Sequence, residues 1–330
     1  MFLENDFLLD IARGKVPGVS HIEKFGRNPD IDTNDTPEDV WDVGGLWVPP
    51  TSARIHAVAS TSTQDKGSLI ATGFISSLSR TELHDSDATF ISDGISVGDS
   101  ILNDTTKEHS MVLEVVSESQ LIMHPTRHNK FFQIGDTYRI VTPLGTGASI
   151  IHVMGLGETM HSQDEWVITD GTTSVATDNP YWRVFRSHAD GAADRNNSNV
   201  GDVSVTALVD GTVTAQINAG NGQTLMAIYT VPAGKRAYMV NTSGHVNRIG
   251  GSGTFADLAI REYPFAQYGF SGNRLQHYGS LATDGSSTYE KNFKPYKEFE
   301  AYTDIVMRVA SVSHNNTDVS GDFSLILVDH

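Results

Sequence analysis

The chain has 330 residues and no cysteine. This excludes disulfides, thiolate nucleophiles and thiolate metal sites, and leaves stability to the core and to assembly, as suits a protein made in a cytoplasm. Basic residues are scarce: 23 Lys and Arg against 40 Asp and Glu give a net charge of -17 at pH 7. Such a field repels nucleic acid and anionic membrane, so neither is an expected partner. Charged residues of both signs make up only 19% of the chain and apolar residues 38%, which excludes a disordered acidic tail as its main character. Long apolar runs are also missing. The opening MFLENDFLLDIARGKVPG places Phe2, Leu3, Phe7, Leu8 and Ile11 at near-helical spacing but interrupts them with Glu4, Asp6 and Asp10. Without a basic start or an unbroken apolar stretch it reads as neither signal peptide nor membrane span, and a short docking helix is predicted.

What the chain does have is punctuation. Its 30 glycines lie among Ser, Thr, Asn and Asp, the residue types that make turns, and no helix of normal length is predicted after residue 18. The fold class expected is all-β: a jelly-roll-like β-sandwich with an inserted small β-barrel-like module and an extended N-terminal arm. The arm, with the helix before it, covers 1–51. Between Val19 and Thr51 it has four prolines and no sustained period, yet carries Ile22, Phe25, Trp41, Leu46 and Trp47. Such a segment lies along a surface and anchors at points, either on its own domain or on a neighbour.

The sandwich is assigned to 52–65 plus 143–330 and the module to 66–142. In the module, short apolar runs alternate with polar turns, and two GD turns recur in GISVGDSILN and FFQIGDTYRI, the cadence of a small barrel. Phe131, Phe132 and Tyr138 are expected in its core. The sandwich strands are predicted from Ala53–Ser60 and Ile150 onward, the last being the strongly apolar FSLILVDH. The sharpest local signal is QTLMAIYTVPAGKRAYMV, Gln223 to Val240. Two alternating runs flank Pro232-Ala233-Gly234, and because proline cannot join a ladder the chain is expected to reverse there as a hairpin.

Candidate chemistry is thin. His124 and His128 have helical ligand spacing, but Pro125 and Thr126 place them in a turn, where the spacing loses its meaning. His84-Asp85-Ser86-Asp87 and Asn315-Asn316-Thr317-Asp318 are oxygen-rich enough for a cation and read more simply as polar loops. Pairs such as Asp85 with Asp87, or Glu38 with Asp39, are not diagnostic among 40 acids. The stretches near Gly251 and Ser271 lack the strand–turn–helix setting of a nucleophile elbow, and no P-loop, dinucleotide fingerprint or HExxH occurs. Arg183 and Arg186 beside Trp182, and Lys291, Lys294 and Lys297 beside Phe293 and Tyr296, mix cations with aromatics as a sugar or nucleic-acid site does. The lysine run also reads as a solvated edge strand. No catalytic residue, cofactor or metal is expected, and the chain is not read as an enzyme.

Three segments, HIEKFGRNPDIDTNDTPEDVWDVGGLW, GNGQTLMAIYTVPAGKRAYMV and SHNNTDVSGDFSLILVD, occur in that order and resemble virion structural proteins of tailed bacteriophages, most closely capsid cement or decoration proteins. The resemblance covers the arm and most of 143–330; the module looks like an insertion. It implies a protein on the outer capsid surface of the virion that binds the major capsid protein and copies of itself, as a dimer or trimer. By it, His21, Phe25, Arg27, Asn28, Pro29, Trp41 and Trp47 are the partner-binding residues of the arm. The alternative is a tail, baseplate or head-fibre protein whose insertion binds a host glycan.

Overall fold

A computed structural model describes residues 7–79, 81–125, 132–191, 198–248, 253–264, 272–283 and 286–330. It is an all-β protein of several antiparallel sheets with almost no helix. The single helix among the described residues is Phe7–Ala12, part of the helix expected at the start; Phe2 and Leu3 lie outside the described residues.

The largest core lies between two sheets made of eight strands. In chain order these are Val19–Ile31, Ile228–Thr230, Lys235–Arg248, Thr254–Pro264, Arg274–Thr283, Ser286–Phe299, Thr303–Val312 and Thr317–Asp329. The first, eighth, third and sixth form one sheet and the second, seventh, fourth and fifth the other, with Glu38–Asp39 added beside the seventh. The eighth strand shows why the sequence folds this way. Phe323, Leu325 and Leu327 alternate inward while Asp322 and Ser324 face out, the period-two pattern of a strand with one buried face. From the other sheet Leu258, Ile260, Ile305, Met307 and Val309 meet them in the same core. Each such fully buried side chain stabilises by about 1.5–3 kcal/mol.

The arm departs from expectation. Val19–Ile31 is a strand of 13 residues paired with the eighth strand from Val19 opposite Val328 to Asn28 opposite Val319. At Gly26 the strand passes so close to other backbone that a Cβ there would overlap Val40 O and Ala227 N, so a side chain is excluded by contact. Residues after Ile31 are tied down as well: Val40 N donates to Met307 O at 2.9 Å, and Trp41 bridges to Met226.

The expected hairpin is also built differently. The chain does turn at Pro232–Gly234, with Gly234 at φ +69°, but the two runs do not pair with each other. Ile228–Thr230 pairs with the seventh strand in one sheet, and Lys235–Arg248 pairs with the sixth and eighth in the other. The segment is therefore an arch that carries the chain across the core, with Tyr229 and Val231 on one side and Ala237 and Met239 on the other.

The strands at 56–60 and 150–217 do not join this pair of sheets. His56–Ser60 lies in a four-stranded sheet with Val175–Ala176, Val203–Ala207 and Thr212–Ile217, and Ile150–Leu156 lies between Ser162–Ile168 and Arg183–Asp190. Their shared core holds Val58, Val153, Val184, Val205 and Ile217, and takes in Trp41, Trp47, Ile228 and Val306. Seven strands between Gly67 and Pro143 form a separate antiparallel sheet. Phe132 and Tyr138 are buried in its core with Leu83, Phe90 and Leu121, as expected; Phe131 lies outside the described residues. No closed barrel is found among the described residues. The two end strands of the order, Gly67–Phe74 and Ser77–Ser79, are consecutive in the chain. At the root of this sheet the buried carboxylate of Asp65 accepts from Ser60 Oγ at 2.5 Å, Ala148 N at 2.9 Å, and Val200 N and Gly201 N at 2.8 Å. That clip joins the entry and exit of the segment.

Candidate attachment surface

Strand pleating sorts the residues of the first strand. Ile22, Lys24, Gly26 and Asn28 point inward, whereas His21, Glu23, Phe25, Arg27 and Pro29 line the outer side. His21, Phe25, Arg27 and Pro29 therefore share one stripe, with about 7 Å between alternate positions. Arg27 is held by a two-pronged pair, Nε to Asp318 Oδ1 and Nη2 to Asp318 Oδ2, both at 2.9 Å. Its side chain stays 48% exposed, so it can take a further acceptor. Asp318 holds the guanidinium pKa above its ordinary value. Phe25 is half-buried, with the Arg186 guanidinium 5.5 Å from its ring centre. Arg186 also donates to Glu23 O at 2.6 Å, which fixes the guanidinium beside the ring.

Beneath the stripe lies a lysine with no room to hydrate. Lys24 is 2% exposed, its Nζ donates to Phe185 O, and the Phe185 ring centre is 5.6 Å away. Burial, aided by the Arg186 charge, pushes its pKa well below the ordinary lysine value. Burial also lowers Arg186, and takes His188, with help from Arg186, down to about 4.

The stripe continues across the outer face of its sheet. Phe25 lies opposite Asp322, which lies opposite Ser243, and Arg27 lies opposite Ser320, then His245. Ser243 Oγ bonds Asp322, and His245 Nδ1 lies 3.0 Å from Thr288 Oγ1. This face is polar and already hydrogen-bonded, with one ring and one guanidinium at its rim. It is suited to a wet, polar contact anchored at a few points.

Three of the expected partner-binding residues are placed elsewhere. Asn28 is buried, with Nδ2 donating to Glu38 Oε2 at 2.7 Å. Trp41 and Trp47 are 4% and 6% exposed. Their indole nitrogens donate to Gly45 O at 3.1 Å and Thr214 O at 3.0 Å, and the Arg183 guanidinium stands over Trp47. These residues anchor the segment onto its own chain. The acids between them are partnered too: Asp39 takes Arg308 and Trp47 N, and Asp42 takes Leu225 N at 3.0 Å. Burial raises Asp42 to about 6.

Of the weaker candidates, Asp85 is buried and accepts from Tyr138 Oη at 2.6 Å, Asn315 accepts from Thr33, and Asp318 pairs with Arg27. His128, Gly251 and Ser271 lie outside the described residues. No group of three or more metal-ligating side chains occurs among the described residues. GISVG, Gly94 to Gly98, has the G-x-S-x-G spacing of a nucleophile elbow. There Ser96 N donates to Asp99 in a tight turn that leads into the strand Ser100–Asn103. A nucleophile elbow needs a helix after the serine, so the pattern is a turn.

No protein-family model matches the chain, and no curated protein matches it.

Proposed function

We propose that this chain is a structural virion protein of a tailed bacteriophage, a cement or decoration protein that binds the major capsid protein on the outer surface of the shell and stabilises it. The observation that carries the reading is the nested pairing of the eight strands: first with eighth, second with seventh, third with sixth, fourth with fifth. That is the order of a jelly roll, the sandwich used by viral capsid and lectin domains. One fold hosts many functions, so the surface also bears on the reading. The polar outer face and the stripe His21, Phe25, Arg27, Pro29 offer a contact with an aromatic ring and an arginine at its edge, the residue types that carry most interface energy. A protein that binds only the assembled shell stabilises it by mass action.

The test adds purified full-length chain to phage heads that lack it, followed by particle reconstruction. Density on the shell in hundreds of copies is expected from a repeated lattice, against about six to twelve for a tail ring. Phe25→Ala with Arg27→Glu is expected to weaken shell binding by about 10–100-fold. Density confined to the tail overturns the capsid reading.

A second reading, a tail or head-fibre protein with a host-glycan-binding insertion, is favoured by one observation. Phe74, Val97 and Ile134 of the seven-stranded sheet and its turns are 65%, 69% and 67% exposed, apolar side chains presented outward. Glycan-array binding by the full chain, lost in Phe74→Ser with Ile134→Ser, would support it over the first.

A further inference from the structure

Four edge strands bound the two facing sheets: Val19–Ile31 and Ser286–Phe299 on one, Ile228–Thr230 and Arg274–Thr283 on the other. Open edges invite pairing with another chain, and proteins guard them with lysine, proline, bulges or covering segments. Three of the four are guarded. Arg186 bonds the backbone of Val19–Ile31 at Glu23 O, and Lys24 reaches across to Phe185 O. Ile228–Thr230 has three residues, all buried. Ser286–Phe299 carries exposed Lys291, Lys294 and Pro295, and its register breaks opposite Met239 to Asn241.

The fourth has no lysine, proline or covering strand among the described residues, and beyond its one register shift, between Ile260 and Arg261, positions 277–283 pair without a break. Arg274–Thr283 reads RLQHYGSLAT, ten residues without lysine, proline or an acid. It pairs with Thr254–Pro264, and no other described strand joins it. Leu275 and Tyr278 on it are 51% and 46% exposed, and Phe255 on the neighbouring strand is 42% exposed. The register sets Phe255 opposite Ala282 and Ala259 opposite Tyr278, with Asp257 opposite Ser280 between them and accepting from its hydroxyl at 2.5 Å, so Phe255, Tyr278 and Ala282 form a patch around one hydrogen-bonded carboxylate that runs up to the open edge.

We infer that this edge pairs with the same edge of a second copy, antiparallel about a two-fold axis. Charge selects the occupant. Two molecules of net charge -17 repel over most of their surfaces, whereas the edge strand itself carries no acid and one full charge, Arg274, and the carboxylate one strand in, Asp257, is held by Ser280 and Ser311. An isologous two-fold contact also sets the patch of one copy beside that of the other, making a single strip across the axis. The self-contact stands apart from the capsid reading: a monomer overturns this inference and leaves shell binding untouched.

The experiment is sedimentation velocity on the full chain from about 1 to about 100 µM, a range that brackets ordinary micromolar self-association. A monomer–dimer equilibrium is expected, with amides of 274–283 gaining hydrogen-exchange protection as concentration rises. Tyr278→Lys with Ala282→Lys places like charges across the axis and is expected to raise the dissociation constant at least about tenfold, with an unchanged circular dichroism spectrum. Lys291→Ser with Lys294→Ser on the guarded edge leaves it unchanged. A wild-type monomer throughout, a dimer indifferent to the two lysines, or concentration-dependent protection elsewhere than 274–283 overturns the inference. The exchange measurement on the wild type decides it even where the lysine variant misfolds.

Discussion

His188 and Asp42 are shifted by the same cause in opposite senses. Burial lowers His188 from 6.5 to about 4 and raises Asp42 from 3.8 to about 6. Between pH 4 and 6.5 the unfolded chain holds more protons at His188 than the folded one, so that stabilisation is complete above 6.5 and is lost as pH falls towards 4. For Asp42 the folded chain holds more protons between 3.8 and 6, so its contribution is complete below 3.8 and is lost as pH rises through 6. The two effects nearly cancel in the wild type. Relative to wild type, His188→Gln is expected to gain stability as pH falls from 6.5 to 4, and Asp42→Asn to gain it as pH rises from 3.8 to 6. Each trend is on the order of 1–2 kcal/mol, since both groups keep some solvent. Urea melts at half-unit pH steps read it directly, and parallel curves for all three proteins would contradict it.

A second residue-scale prediction concerns Arg183, 4% exposed at its side chain, which grips Asp304 through Nε and Nη2 at 2.9 and 3.0 Å while Thr230 Oγ1 donates to the same carboxylate. Arg183→Met strands a buried carboxylate and is expected to cost about 3–5 kcal/mol. Arg183→Met with Asp304→Leu is expected to recover most of that loss. Chemical denaturation of the single and double variants measures the difference.

At the scale of the element, the first strand was hidden in the sequence for a reason its side chains give. Its inward positions are Ile22, Lys24, Gly26 and Asn28, so the apolar-in, polar-out alternation that marks most strands is absent. Lysine is tolerated there because a carbonyl and a ring receive it, and glycine is required by the close backbone approach. The stripe His21, Phe25, Arg27, Pro29 was legible as residue types, whereas the burial of Asn28, Trp41 and Trp47 depends on partners far along the chain. The Gln223–Val240 segment failed differently: turn and strands were legible, but which strands they pair with is decided by residues 286–329. These placements change what a deletion measures. Removing residues 1–51 takes out one of the eight strands and uncovers the eighth, so loss of binding in that variant reports unfolding. Gly26→Ala isolates the element instead, with an expected loss of about 2–3 kcal/mol by overpacking, visible in thermal melts. A neutral Gly26→Ala would mean the contacts at Val40 and Ala227 yield easily.

Over the whole molecule, the cores are linked in series. Ile228 and Val306 belong to strands of the two-sheet core yet pack into the next cluster. Leu102 and Val141 of the seven-stranded sheet pack on Ile150 and Trp166. The punctuation by glycine and polar turns made the all-β class legible, and the self-contained spacing of 66–142 pointed to a unit of its own. How that unit is fastened was not legible, because one of its fasteners is an aspartate in an ordinary turn. Asp65 is fully buried and holds three backbone amides from two distant loops. Replacing it with alanine leaves those donors without an acceptor, at a cost of about 1–3 kcal/mol for each amide left dry. The loss falls at the root of the seven-stranded sheet, not in the two-sheet core. Asp65→Ala is therefore expected to speed hydrogen exchange in Gly67–Phe74, Thr137–Pro143 and the amides of Ala148, Val200 and Gly201, while Thr317–Asp329 keeps its protection. Equal loss of protection in both places would show that the sheets unfold as one unit and that the serial linkage is too stiff to yield at its root.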